Sequence, residues 1–174
     1  MKTTLTLLAL ALAVTASARP GEIDTSGLPN ASVAKPGLVA AGRPSPEAVA
    51  ALKARGFRTV IDLRTPSEAG FAEEKAAVEA QGLRYVNVPV TGGAFSGTDV
   101  DAVKAALDQA TDGPVLLHCA SSNRVGAVWA VLQARGGMPV EDAMKEGARV
   151  GLTSPALAEA ARRVATEGVP PAKR

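Results

Sequence analysis

His118 and Cys119 are the only histidine and the only cysteine of the chain. They close the apolar run "PVLLHC", and Arg124 follows the thiol after the four residues "ASSN". A thiol at the end of a strand-like run has two fates. It is a small buried hydrophobe, the common fate of a free cysteine, or it is a nucleophile whose thiolate is stabilised by positive surroundings. The residues after it favour the nucleophile. "CASSNR" leads into a helix-like apolar run, so the N–H groups of Ala120, Ser121, Ser122 and Asn123 can turn inward as an anion cradle. The positive end of the following helix lies behind them. Arg124 adds a planar, two-pronged donor suited to a tetrahedral oxyanion. Its side chain is expected at the mouth of the loop, so replacing it should alter anion binding more than folding. Ser121 and Ser122 offer hydroxyls to the cradle or to the sulfur. His118 precedes the nucleophile, should point elsewhere, and is expected to brace the loop and not to act as a base.

The elements around this loop alternate. "GLVAAGRPS" gives a short strand and a turn. In "SPEAVAALKARG", Ser45 is a plausible N-cap, Pro46 takes the first helical position, and Gly56 closes the element. "FRTVIDLR" is a β-branched strand, "TPSEAGFAEEKAAVEAQG" a helix, and "LRYVNVPV" a third strand. The loop "TGGAFSG" precedes the capped helix "TDVDAVKAALDQATDG", and "PVLLHC" is the fourth strand. Helices follow over 124–135, 140–150 and 154–167. Such alternation predicts an α/β fold of three layers, with a mainly parallel central sheet flanked by helices. Ligands of these sheets bind beyond the carboxyl ends of the strands, where Cys119 stands.

The N-terminus reads as a targeting segment. Lys2, an apolar stretch from Leu5 to Val14 and Ala16-Ser17-Ala18 follow the order of a secretory signal peptide. So short a stretch falls well below the 30 Å or so of a bilayer core, and no membrane span is expected in the mature form. Residues 1–18 are therefore expected to be a cleaved signal, 19–37 an irregular leader, 38–168 the folded domain and 169–174 a tail. The mature protein is expected to be periplasmic or secreted. A lone cysteine there cannot form an internal disulfide, and it has no resolving partner for two-thiol redox chemistry.

Composition excludes several classes. With 47% apolar and 21% charged residues, the 174-residue chain suits one globular domain. A net charge of +2 and 3% aromatics give neither the basic face nor the stacking surface of a nucleic-acid binder. One histidine and one cysteine cannot close a zinc site. No nucleotide-binding glycine loop is present, so neither metal nor cofactor is expected.

"HCASSNRVGAVWAVL" resembles the active loop of the protein tyrosine phosphatase superfamily. "AGRPSPEAVAALKARGFRTVIDLRTPSE" and "YVNVPVTGG" resemble its β-lactamase-hydrolase-like branch, sometimes labelled a sulfur transferase, over residues 35–135. The resemblance implies Cys119 as nucleophile and Arg124 as oxyanion ligand. It also implies that Arg64, after "VIDL", buttresses the sheet edge near the site, with Glu68 as its partner.

Three departures keep the chemistry open. Ordinary tyrosine phosphatases have one residue more between cysteine and arginine, and the shorter spacing is closer to rhodanese-type sulfurtransferases. Val125 stands where a Ser or Thr usually helps the thiolate leave. Dual-specificity enzymes place a general-acid Asp just after the strand matching "NVPV", where this chain has Thr91-Gly92-Gly93. Asp99 and Asp101 are the nearest substitutes, although capping of the following helix suits Asp99 better. A phosphatase-like hydrolase, a sulfurtransferase carrying a Cys119 persulfide, and a non-catalytic anion-binding module all remain. Each takes an anionic small-molecule or phosphorylated ligand.

Overall fold

The structure is a computed structural model and describes residues 23–167. The expected signal segment and tail lie outside the described residues. Among the described residues five strands form one sheet: β1 (Ser32–Lys35), β2 (Leu38–Ala41), β3 (Thr59–Asp62), β4 (Arg84–Asn87) and β5 (Val115–His118). Their order is β1-β2-β5-β3-β4, and every neighbouring pair is parallel except β1 with β2. The late strand β5 thus sits in the middle, with His118 level with Ala41 on one side and Asp62 on the other.

Strand alternation sorts the core into two layers. Val39, Ala41, Val60 and Leu116 face α1 (Pro46–Ala51) and α2 (Phe71–Ala80). Leu38, Ala40, Ile61, Leu117 and Cys119 face the helices α3 (Gly97–Asp108), α4 (Asn123–Arg135), α5 (Val140–Arg149) and α6 (Pro155–Thr166). With both faces covered, β2, β3 and β5 are buried along their whole length, which is why they read as largely apolar runs. Removing Ile61 to Ala would cost about 2–5 kcal/mol, the usual range for a fully buried aliphatic.

α4 and α5 approach so closely that only glycine fits between them. A Cβ on Gly126 would stand 2.6 Å from Gly147 O, and one on Gly147 2.7 Å from Gly126 O. This contact locks the first turns of α4, and hence the Cys119 loop, against the C-terminal half of α5.

Two sequence expectations are corrected. The leader is not irregular throughout, since its residues Ser32–Lys35 pair antiparallel with β2 as an edge strand. Four residues with half-exposed alternation carry too weak a period to read. The second helix begins at Phe71 and not at Thr65. Pro66 and the left-handed Gly70 (φ 72°) hold residues 65–70 in turns, and that detour delivers Glu68 to the site.

Candidate active site at the end of β5

Cys119 leaves the central strand with its residue only 1% exposed. Its N–H donates to Ala41 O at 3.4 Å. Alternation turns its side chain toward the α4 layer and that of His118 toward α2. Beyond it, Ala120 O accepts from Arg43 N at 3.2 Å, and Gly42 bridges Ser121. Ser122 then adopts a left-handed conformation (φ 70°, ψ −8°) as the residue before α4. A non-glycine residue there stores about 1 kcal/mol or more of strain. The conformation is held from outside: Ser122 Oγ donates to Val150 O at 2.7 Å, and a Cβ on Gly151 would press within 2.5 Å of Ser122 Cβ. Ser122 therefore does not offer its hydroxyl to a cradle, contrary to expectation. Asn123 is also held there, its Oδ1 accepting from Thr153 N at 2.8 Å and Ser154 N at 2.7 Å. Ser121 is exposed; its hydroxyl accepts from the side-chain amide of Asn123 and its carbonyl from that of Asn30, each at 3.3 Å.

The first N–H to bond inside α4 is that of Gly126, to Ser122 O at 2.9 Å. The N–H groups of Asn123, Arg124 and Val125 precede the helical ladder, so they stand free to face an anion at the helix end.

Arg124 does not simply face outward. Its Nη1 and Nη2 donate to Glu68 Oε1 and Oε2 at 2.7 and 2.8 Å, a two-pronged pair. Nη1 also reaches Val90 O at 3.0 Å and Leu63 O at 3.2 Å. Its other guanidinium N–H groups make no bond to a protein oxygen among the described residues, and the Cys119 sulfur lies close enough to interact with the guanidinium. The Arg124 bond holds the Glu68 carboxyl below its ordinary range despite partial burial. Glu68 in turn raises Arg124, more than burial lowers it, and the charge of the Cys119 sulfur adds to the rise. Glu68 is thus the partner of Arg124, and the expected pairing with Arg64 is corrected.

Arg64 is buried on the opposite side of the sheet end. It donates to both oxygens of Asp62 (3.0 Å and 2.7 Å) and to Glu74 Oε2 at 2.8 Å. Burial works to lower its pKa, but Asp62 and Glu74 outweigh that and raise it. Burial likewise pushes Asp62 up, and the Arg64 bond with its other partners brings it below its usual value. Tyr85, whose hydroxyl donates to Asp62 at 2.7 Å, is shifted upward by burial and by that carboxylate. His118 completes the cluster: Nε2 lies 2.9 Å from Glu74 Oε1, but at an angle unsuited to a hydrogen bond, which leaves both ring nitrogens without a hydrogen-bond partner among the described residues. His118 therefore braces β5 against α2, not the loop itself. Asp62, Glu74 and His118 bring ligand atoms within 4.8 Å of one another, a grouping that a count of His and Cys overlooked. Arg64 already supplies a cation to both of its carboxylates. The sequence reading missed Asp62, Glu74 and Tyr85; the polar Asp inside the apolar "TVIDL" was the available signal.

Asp99 and Asp101 are committed on α3. Asp99 closes a capping box with Ser96, accepting from its N–H at 2.9 Å, and Asp101 pairs with Arg135 at 2.7 Å on an exposed face. Neither bonds to any residue of the Cys119–Arg124 loop, and the segment 88–95 holds no carboxylate. A cavity of about 420 Å³, lined by Arg43, Arg64, Glu68, Ala69 and Ala120, opens beside the loop.

Comparison with known proteins agrees with this arrangement. The family described as "Beta-lactamase hydrolase-like protein, phosphatase-like domain" matches residues 13–136. A beta-lactamase hydrolase-like protein of Xylella fastidiosa (strain Temecula1) is 32% identical over 109 residues, 60% of this chain and 25% of the relative. The chain thus spans about a quarter of that relative's length. A DUF442 protein of Shewanella putrefaciens CN-32, described as a candidate phosphatase, superposes with a TM-score of 0.67 at 26% identity, over 81% of this chain and 89% of its own. TpbA of P. aeruginosa, solved in complex with phosphotyrosine, shares the fold at TM-score 0.60 and 22% identity, over 84% and 85% of the two chains. From the cysteine loop at the end of β5 to the mostly parallel five-stranded sheet that carries it, the fold is that of the protein tyrosine phosphatases, and the chain belongs to the family of beta-lactamase hydrolase-like phosphatase-like domains.

Proposed function

We propose that this is an exported phosphatase-like hydrolase that works through a Cys119 thiolate. The observation that supports it best is that the Cys119 sulfur and the Arg124 guanidinium interact where β5 ends, next to the N–H groups that open α4 without a helical partner. In this reading the sulfur attacks phosphorus, an S–P bond forms and the P–O bond to the leaving group breaks. The departing oxygen keeps the electron pair and takes its proton from solvent. Water then attacks phosphorus, the P–S bond breaks, and inorganic phosphate leaves as the thiolate returns. The loop amides and Arg124 hold the phosphoryl oxygens throughout. Glu68 keeps the guanidinium in plane and charged.

With Asp99 and Asp101 committed on α3, hydrolysis proceeds without a carboxylic general acid, a step that typically contributes about 10²–10⁴ in rate. The rate should therefore fall steeply as the leaving group becomes more basic. Wild type and the Asp99→Asn and Asp101→Asn variants, assayed on aryl phosphates of graded leaving groups, should show the same steep dependence. A dependence steepened by either substitution would make that aspartate the acid after all. Cys119→Ser should be inactive on every substrate.

The four-residue spacing and the missing acid also suit a sulfurtransferase, because sulfite leaves from thiosulfate without a proton donor. Cyanide-dependent thiocyanate formation by wild type, with no aryl phosphate turnover, would establish that chemistry instead. Export rests on residues 1–18. The intact mass of periplasmic protein should begin at or near Arg19, and full-length protein confined to the cytosol would overturn it.

A further inference from the structure

The turn "AGRPS" places an arginine beside the nucleophile loop. Ala41 is level with His118 across the β2–β5 pair, and the two strands' extensions stay together. Two residues on, Arg43 N–H donates to the carbonyl of Ala120, the residue next to Cys119. The main chain of Arg43 is thus fixed to the loop that would hold the reacting group.

Its side chain lies over the start of α2. Nη1 donates to Ala69 O at 2.8 Å, and Gly70 allows this approach, since a Cβ there would stand 3.3 Å from Nη1. The side chain borders the cavity of about 420 Å³ that also meets Ala120, Glu68 and Arg64. It borders a second one of about 170 Å³ that carries Glu73 and Glu74.

The charges along the larger cavity are unevenly matched. Glu68 is held by Arg124, and Arg64 by Asp62 and Glu74. Arg43 has one main-chain carbonyl and makes no ion pair among the described residues. Its remaining guanidinium donors are available at the rim of a cavity that begins at the cysteine loop. The smaller cavity is unsuited to an anion, with Glu73 on its wall.

We propose that Arg43 is a specificity-determining residue that binds a second anionic group of the substrate, a phosphate or a carboxylate, in the larger cavity. The favoured substrate is then a phosphoryl compound with another anion a few bonds away, and not a simple monoester. This rests on the phosphatase-like reading of the Cys119 loop. The planar fork of arginine suits either anion, and Glu68 is prevented from repelling it by its pairing with Arg124.

The test is calorimetric titration of the full chain as Cys119→Ser, which cannot turn substrate over. Inorganic phosphate, pyrophosphate and 2-phosphoglycolate serve as probes. With Arg43 present, pyrophosphate or 2-phosphoglycolate should bind about tenfold more tightly than phosphate, as one charge-assisted contact predicts. Preference for the first identifies a second phosphate as the group, and for the second a carboxylate. Arg43→Gln should reduce that preference to about twofold or less, and Arg43→Lys should retain part of it. A purely structural role for Arg43 would move all three affinities together. Normal phosphate binding with no preference, or a preference that survives Arg43→Gln, overturns this inference alone. Failure of phosphate itself to bind overturns the loop's phosphoryl role as well.

Discussion

Arg124→Lys keeps the charge of Arg124 and removes its fork. The guanidinium makes two contacts to Glu68 at 2.7 and 2.8 Å, and two to the carbonyls of Val90 and Leu63 at 3.0 and 3.2 Å. An ammonium can keep one carboxylate oxygen and one carbonyl, so two of these four contacts disappear. Hydrogen bonds to charged groups contribute about 1.5–3 kcal/mol each. The two side chains are 14% and 29% exposed, and solvent screening takes a share. The lower end applies, giving a loss of about 2–3 kcal/mol in all. For a domain of this size each kcal/mol moves the melting temperature by about 2–4 °C. The variant should then melt roughly 4–12 °C below wild type, as well as losing most turnover. The sequence alone suggests little thermal effect, because it places this side chain at the mouth of the loop. Differential scanning calorimetry beside an aryl phosphate assay decides the matter. A melting temperature within about 1 °C of wild type would refute the structural tie drawn from these contacts.

Ser122 offers a paired test of strain. Ser122→Ala loses the bond to Val150 O and keeps the left-handed backbone, whereas Ser122→Gly loses the same bond and relaxes it. Denaturant unfolding should find the alanine variant about 1 kcal/mol less stable than the glycine variant; equality would show that the loop is not strained. Gly147→Ala forces a methyl to within 2.7 Å of Gly126 O, and should destabilise by about 1–3 kcal/mol while moving the α4 start. Retention of full stability and activity would mean that the two helices separate freely. The Arg124 bond holds the Glu68 carboxyl below its ordinary 4.5. Since the folded value is the lower one, the stability from this pair is complete above pH 4.5 and is lost as pH falls further. Glu68→Gln should therefore flatten the stability decline below pH 4.5, and an unchanged acid limb would remove Glu68 as its source.

The reach of the sequence differs with the kind of signal. The parallel core was legible because β2, β3 and β5 are covered on both faces and so read as apolar runs, and Ser45 and Pro46 announce α1 with a cap that the structure realises at 3.2 Å. The placement of Cys119 and Arg124 between a strand and a helix was legible because the loop joins two strong periodic elements. Pairings across the chain were not. Glu68 meets Arg124 only because Pro66 and Gly70 delay α2, and no local pattern tells one arginine partner from another. Nor did anything local announce that the Ser122 hydroxyl is held by Val150, twenty-eight residues away. The burial of Cys119 at 1% likewise depends on α3–α6 packing and not on its neighbours in sequence.

The left-handed Ser122 and the anchored Asn123 have an implication for where this module ends. Their supports, Val150, Gly151, Thr153 and Ser154, all come after residue 136, where the family match stops. A fragment cut at that border would carry the whole signature from His118 to Arg124 and lack the scaffold that bends it. Grafting the signature onto another sheet would meet the same difficulty. Its shape is imposed from downstream, so the unit that can be moved between proteins intact is the sheet together with α5 and α6, and not the motif.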